Sequence, residues 1–305
     1  MGLLIDGEWH DQWYDTEKTG GHFVRHDSSF REQVGSGPNA RPFSPGRYHL
    51  YVSYACPWAH RTLIVRKLKQ IEASIDVSAV HWLMLEEGWV FNADYPDHEN
   101  QKQRLHEVYT LAKSDYSGRV TVPILWDKQT KSIVNNESAE IIRMFNTDFG
   151  GNDLDLYPEH LRAEINSVNA WVYDDVNNGV YKAGFATKQS VYEHAVERLF
   201  AALDRLEDML RGNDYLVGNQ LTEADVRLFT TLLRFDPVYV GHFKCNRRRI
   251  VDYPNLWAFT RRIYGLPGVA ETVHLDHIKG HYYGSHRTIN PTGIVPVGPD
   301  IDFGV

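Results

Sequence analysis

Residues 48–68 read Tyr-His-Leu-Tyr-Val-Ser-Tyr-Ala-Cys-Pro-Trp-Ala-His-Arg-Thr-Leu-Ile-Val-Arg-Lys-Leu, and this stretch narrows the choice of folds more than any other. Its first half alternates, with Leu50, Val52 and Tyr54 on one side of an extended segment. Its second half changes period: Ala59, Leu63, Ile64 and Leu68 recur every three or four residues, as on one face of a helix. Cys56 stands at the junction, and Pro57 suits a first helical turn. A helix start offers backbone N–H groups and partial positive charge, which favour thiolate over thiol. The ordinary alternative for a lone cysteine is a small buried hydrophobe.

Position favours the reactive reading. A strand-to-helix turn carrying Cys-Pro-Trp is a thioredoxin-type active-site context. Where a thioredoxin has its second cysteine this chain has Ala59, and Cys245 lies 189 positions further on. A monothiol without a local partner takes its second thiol from solution, which points to glutathione or another small thiol.

The rest of the chain fits such a domain with an addition. Residues 1–47 hold Trp9, Trp13, Tyr14, Phe23 and Phe30, too many aromatics for a solvated tail, so they read as an extension packed on the body. Residues 34–46 are rich in Gly, Pro and Ser and mark a boundary. A second strand is predicted at residues 75–82, followed by a long loop over 84–118, of the kind that often carries function, and by the segment 119–127, in which Pro123 stands just before a buried strand. A proline at that place is awkward unless its peptide bond is cis, the arrangement in thioredoxin-like Thr-Val-Pro segments. The Val122 backbone could then pair with a ligand peptide as an added strand. A short strand at 132–136 leads into a helix at 137–145. Glu137 and Ser138 suit a helix start for folding reasons alone. They also suit an amino-acid head group, its carboxylate on the helix N–H groups and its ammonium on Glu137, as in a γ-glutamyl unit.

From Pro158 onward the pattern is helical, with predicted helices at 158–178, 188–211, 255–264 and 268–273. Thr222-Glu-Ala-Asp225 ahead of an apolar run reads as a helix cap with Asp225 in place of the usual Glu. The expected organisation is an extension (1–47), an α/β thioredoxin-like domain (48–150), an all-helical domain (151–275) and a tail returning toward the active site (276–305). The cleft between the domains is the default ligand site.

The net charge of −8 gives no reason to expect nucleic acid, and Arg247–Arg249 reads as a solvated loop. Two cysteines in 305 residues exclude a disulfide framework and suit a reducing, cytoplasmic setting. Asp6, Glu8 and Asp11 rule out a signal peptide, and Asp6 spoils a Met-Gly myristoylation start. No apolar run reaches membrane-spanning length. His274, His277, His281 and His286 invite a metal reading, but neither a nearby cysteine nor an acidic partner motif supports it, so no metal is expected. His60, one turn after Cys56, reads as structural.

Cys56-Pro-Trp-Ala-His-Arg61, Thr121-Val-Pro123, Asn136-Glu-Ser138 and the Leu221-Thr-Glu-Ala-Asp225 cap together resemble the glutathione transferase superfamily. Residues 23–31, 137–146, 176–185, 234–239 and 281–292 resemble its Xi class, the glutathionyl-hydroquinone reductases. The resemblance implies a thioredoxin-like domain followed by a glutathione-transferase-type helical domain, glutathione as co-substrate, and a homodimer through the helical domain. It implies Cys56 as nucleophile, Tyr181 in proton transfer, and Tyr239 and Tyr282 as hydroxyl donors to the thiolate; taken alone, these tyrosines read first as packed side chains with satisfied hydroxyls. The implied glutathione set is Trp89, Arg119, Val120, Thr121, Val122, Glu137 and Ser138. An Omega-like thiol transferase or dehydroascorbate reductase, and a non-catalytic scaffold, are the competing readings.

Overall fold

The computed structural model describes residues 2–304. In chain order its elements begin with β1 (Leu3–Ile5), β2 (Glu8–His10), β3 (Tyr48–Val52), α1 (Pro57–Leu68), β4 (Ile75–Ala79), α2 (Leu105–Ala112), β5 (Gly118–Arg119), β6 (Ile124–Asp127), β7 (Ser132–Asn135) and α3 (Ser138–Thr147). There follow α4 (Arg162–Val172), α5 (Gly179–Gly184), α6 (Gln189–Met209), α7 (Glu223–Arg234), α8 (Pro254–Tyr264) and α9 (Leu275–Ser285). Two compact units result: Met1–Trp13, Asp27–Leu154 and Glu271–His286 form one, and Tyr14–His26, Asp155–Ala270 and Arg287–Val305 the other. Among the described residues no helix is long and apolar enough to cross a membrane.

The first unit is built on a four-stranded sheet in the order β4-β3-β6-β7. β3 pairs parallel with β4 (Tyr48 opposite Ile75) and antiparallel with β6 (Tyr51 opposite Ile124), and β6 continues antiparallel into β7. The extended segment read there is β3, and every residue from Tyr48 to Val52 is buried, on the side of Leu50 and Val52 and on the other alike. An interior strand is covered on both faces, and here polar His49 is buried with the apolar side chains. The buried strand expected after Pro123 is β6, every residue of it buried, and the residues ahead of it divide from it. Gly118–Arg119 leaves the main sheet and joins β1 and β2 in a separate three-stranded one, while Ile124–Asp127 stays. Val122–Pro123, between the two pieces, is cis as expected. The predicted loop over 84–118 contains α2.

His49 makes the stability of this unit sensitive to acid. Burial, with Lys128 as the next cause, pushes its imidazole down to about 4, and its Nε2 shares a 2.9 Å hydrogen bond with Ser78 Oγ. Folded His49 therefore stays neutral while the unfolded chain takes up a proton near its ordinary 6.5. Its contribution is complete above that pH and lost as pH falls towards 4, by about 3 kcal/mol. Urea titrations at pH 7 and 4.5 should show the fall, and His49→Asn should flatten it.

In the second unit every residue of α7 is buried, and α6 lays Leu199, Leu203 and Leu206 into the same core. The Thr222 cap forms as read from the sequence: Asp225 Oδ2 accepts the Thr222 N–H at 2.7 Å, and Oδ1 accepts the Leu216 N–H at 2.9 Å. The helix predicted at 158–178 is not continuous. α4 runs into a π turn over Tyr173–Asn177, where the Asn178 N–H reaches the Tyr173 carbonyl, and α5 follows. α7 likewise ends in a π turn over Phe235–Tyr239. Pro237 cannot donate there, and the Val240 N–H reaches five residues back to Phe235. The helix predicted at 268–273 is only a short 3₁₀ turn.

Candidate active site

Cys56 is the N-cap of α1, with extended backbone (φ −76°, ψ 122°) and Pro57 in the first turn. Its own N–H is tied to Ser53 and its carbonyl accepts the His60 N–H, so the turn that presents the thiol is fixed at both ends. The side chain is half-buried, and Sγ lies 3.7 Å from the Val122 carbonyl. The cysteine and the residue that enters the cis bond are therefore neighbours. His60 points elsewhere: its Nε2 shares a 2.8 Å hydrogen bond with Thr272, the structural role expected. Cys245 is fully buried, and burial pushes its thiol up, away from reactivity.

The other residues of the implied glutathione set in this unit sit on three segments. Trp89 follows Gly88, whose positive φ and close approach to the Trp9 ring leave no space for a Cβ. The buried Trp89 indole stacks on His281 of α9 at 4.7 Å. Arg119 ends β5, and its guanidinium donates to the Gln12 carbonyl of the N-terminal segment. Val120 and Val122 are buried beside it. Thr121 is held through its backbone by the Tyr109 phenol, described below. Glu137 caps α3: Oε1 accepts the Ala139 N–H at 3.1 Å, and Oε2 accepts the Ser28 hydroxyl at 3.1 Å. The carboxylate is thus pinned in place at the helix start. Ser138 is buried and its Oγ accepts from Arg61, a buried guanidinium 4.5 Å over the Trp58 ring.

Tyr282 belongs to this unit too, on α9, buried edge-on between His281 and His286. Tyr181 and Tyr239 lie together in the second unit, ring centroids 6.2 Å apart. The Arg25 guanidinium stands 5.0 Å over the Tyr181 ring and is anchored by Nε on the Asn178 side-chain oxygen at 3.0 Å. Tyr239 closes the second π turn and stacks on Phe243. π turns recur at functional positions, and both tyrosines sit on or just after one. Arg25 and Tyr109 were not singled out from the sequence, and His281 was considered there only among the histidines that invite a metal reading.

The two units are those of a known family. Residues 55–148 match the glutathione S-transferase N-terminal domain and residues 189–262 its C-terminal domain, so the chain is a glutathione S-transferase. It is 57% identical to the glutathionyl-hydroquinone reductase YqjG of Escherichia coli K12, over 99% of this chain and 97% of that protein. The glutathione-bound structure of YqjG matches with a TM-score of 0.91 over 99% of this chain and 97% of that one. Identity to the glutathionyl-hydroquinone reductase PcpF of Sphingobium chlorophenolicum is 54%, over 98% of this chain and 96% of that protein. The Xi glutathione transferase of Phanerochaete chrysosporium matches at 56% identity with a TM-score of 0.89, over 92% of this chain and 94% of that one. Within the superfamily, the chain belongs to the glutathionyl-hydroquinone reductases, the Xi class.

Proposed function

We propose that this protein reduces glutathionyl-hydroquinones to hydroquinones with glutathione as co-substrate. The observation that carries the reading is Cys56 at the head of α1, beside Val122 and with no second thiol near it in sequence. The Cys56 thiolate attacks the sulfur of the substrate's glutathionyl group. An S–S bond forms, the aryl C–S bond breaks, and the ring carbon takes a proton as it receives the electron pair. The thioether sulfur and Cys56 are oxidised together to a mixed disulfide while the ring is reduced. A second glutathione thiolate then attacks that disulfide, releasing oxidised glutathione and free Cys56.

An aryl carbanion is a very poor leaving group, so the first step needs an acid beside a thiolate. Tyr181 is assigned that proton transfer, and Tyr239 and Tyr282 donate to the thiolate. Arg119 holds the glycyl carboxylate, and Val122 pairs with the glutathione backbone, flanked by Val120, Thr121 and Trp89. The helix start at Glu137 and Ser138 takes the γ-glutamyl head. We further assign a cytoplasmic homodimer acting on small molecules, without metal, nucleic acid or membrane.

Intact mass after incubation with a glutathionyl-hydroquinone, before glutathione is added, tests the first step. One glutathionyl group on Cys56 with free hydroquinone released is expected; an unmodified protein overturns the reading. Faster turnover on small mixed disulfides than on glutathionyl-hydroquinones would instead favour an Omega-like thiol transferase. For Tyr181→Phe, kcat should fall by roughly 10²–10⁴, the usual weight of a positioned acid, with glutathione affinity nearly unchanged. An unchanged rate removes Tyr181 from the mechanism.

A further inference from the structure

The phenol of Tyr109 occupies a place in the fold that the proposed chemistry does not use. Tyr109 is on α2 and fully buried. Its hydroxyl donates to the Thr121 carbonyl at 2.9 Å and accepts the Thr121 N–H at 3.2 Å. It also accepts the Asn136 Nδ2–H at 3.1 Å, and Thr121 Oγ1 lies 3.3 Å away. One oxygen thus uses its single donor and two acceptor sites to join the segment that enters β6 to the segment that leaves its antiparallel neighbour β7, just beyond the last paired residues Leu125 and Asn135. One segment holds Arg119, Val120, Thr121 and Val122; the other leads straight into Glu137 and Ser138. Asn136 is fastened from its far side as well: its Oδ1 accepts the Phe30 N–H, and its own N–H donates to the Phe30 carbonyl, both at 3.1 Å.

We infer that Tyr109 is a positioning residue for glutathione, its hydroxyl setting the separation between the wall that takes the tripeptide backbone and the wall that takes the γ-glutamyl head. Glutathione must meet both walls at once, so a spacing error of a few tenths of an ångström weakens binding without touching the sulfur chemistry. Burial, with Tyr116 next to it, raises the phenol to about 12. The group therefore remains a neutral donor to Thr121 at every working pH. Tyr116 packs at 5.1 Å and Phe30 edge-on at 5.9 Å, so the ring stays in place when only its oxygen is removed.

The inference rests on reading residues 119–122 and 137–138 as the glutathione walls, and the experiment separates the two. Tyr109→Phe and Ser138→Ala are compared with the unaltered protein by calorimetric titration with reduced glutathione, by KM and kcat, and by thermal unfolding. In Tyr109→Phe, Kd and KM for glutathione should rise about tenfold, the weight of one well-placed hydrogen bond, with kcat at saturation within about twofold. Its effect should be largely lost in an Asn136→Ala background, where the second wall is already released. A lower melting temperature with unchanged KM shows a purely structural hydroxyl and overturns the inference, as does full additivity with Asn136→Ala. If Ser138→Ala leaves Kd unchanged, the assignment of the γ-glutamyl wall fails, and the inference built on it falls too. Should Tyr109→Phe fold poorly, Asn136→Asp serves in its place: it removes the Nδ2 donor, and the same split between KM and kcat is required.

Discussion

Replacing Cys56 with serine should abolish glutathionyl-hydroquinone reduction, with a fall in kcat of roughly 10⁴-fold or more, the scale seen when a covalent nucleophile is lost. The fold should not suffer. Position 56 is an N-cap with extended backbone, where serine is among the preferred residues, so the variant should be at least as stable as the parent. Glutathione should still bind, because the contacts assigned to it come from other side chains and from backbone. No glutathionyl adduct should appear by intact mass. Iodoacetamide gives an independent check: Cys245 is fully buried and its thiol is raised by burial, so labelling of the native protein reports on Cys56. Labelling at mildly acidic pH should be fast in the parent and absent in Cys56→Ser. Retained turnover in the variant, or an inert thiol in the parent, would leave the mixed-disulfide route without its first bond.

The parts of this site that were legible in the sequence share a cause. Cys56 at a strand-to-helix change, the cis bond before Pro123, the helix start at Glu137 and the Thr222–Asp225 cap are all local events. A period switch, a proline or a capping residue announces each within a few positions. β3 was read as extended and is so, but its alternation did not show that both faces are covered, as they are in an interior strand. α2 was missed because it is short and opens without a Ser, Thr, Asn or Asp cap: Glu107 reaches back to the Gln103 and Arg104 N–H groups instead. The β1–β2 hairpin did leave a signal. Asp6-Gly7 has positive φ at both positions, as a two-residue turn between twisted strands requires.

What stayed invisible is the tertiary support. His281 under Trp89, Arg25 over Tyr181 and the phenol of Tyr109 are brought to their places by segments between about 150 and 200 positions away in the first two cases and by a helix unseen in the sequence in the third. No spacing rule connects such pairs. The residues proposed to touch substrate can be read from motifs, whereas those that hold them still need coordinates.

That distinction predicts where the largest loss of stability lies. Asp127, the last residue of β6, is completely buried, yet it is a carboxylate. Burial alone would raise it. Arg47 overturns that through contacts at 3.0 and 2.6 Å, aided by Arg41 at 3.0 Å and the Gln129 N–H, and the group is held far below the ordinary carboxylate range. Arg41 also reaches Thr130 and Ser132, so this cluster ties the segment before β3 to the β6–β7 hairpin. Asp127→Asn keeps the shape and an acceptor for Gln129 but leaves two largely buried guanidinium groups without their shared counter-charge. The expected cost is about 3–5 kcal/mol, the range for breaking a buried ion pair from one side. A depressed carboxyl contributes stability that is present above its unfolded value near 4 and lost as pH falls further. Urea titration should therefore show Asp127→Asn far below the parent at pH 7, with the gap closing as the pH is lowered below 4. A gap that stayed constant into strong acid would mean that packing at this corner, rather than the charge of Asp127, holds the hairpin.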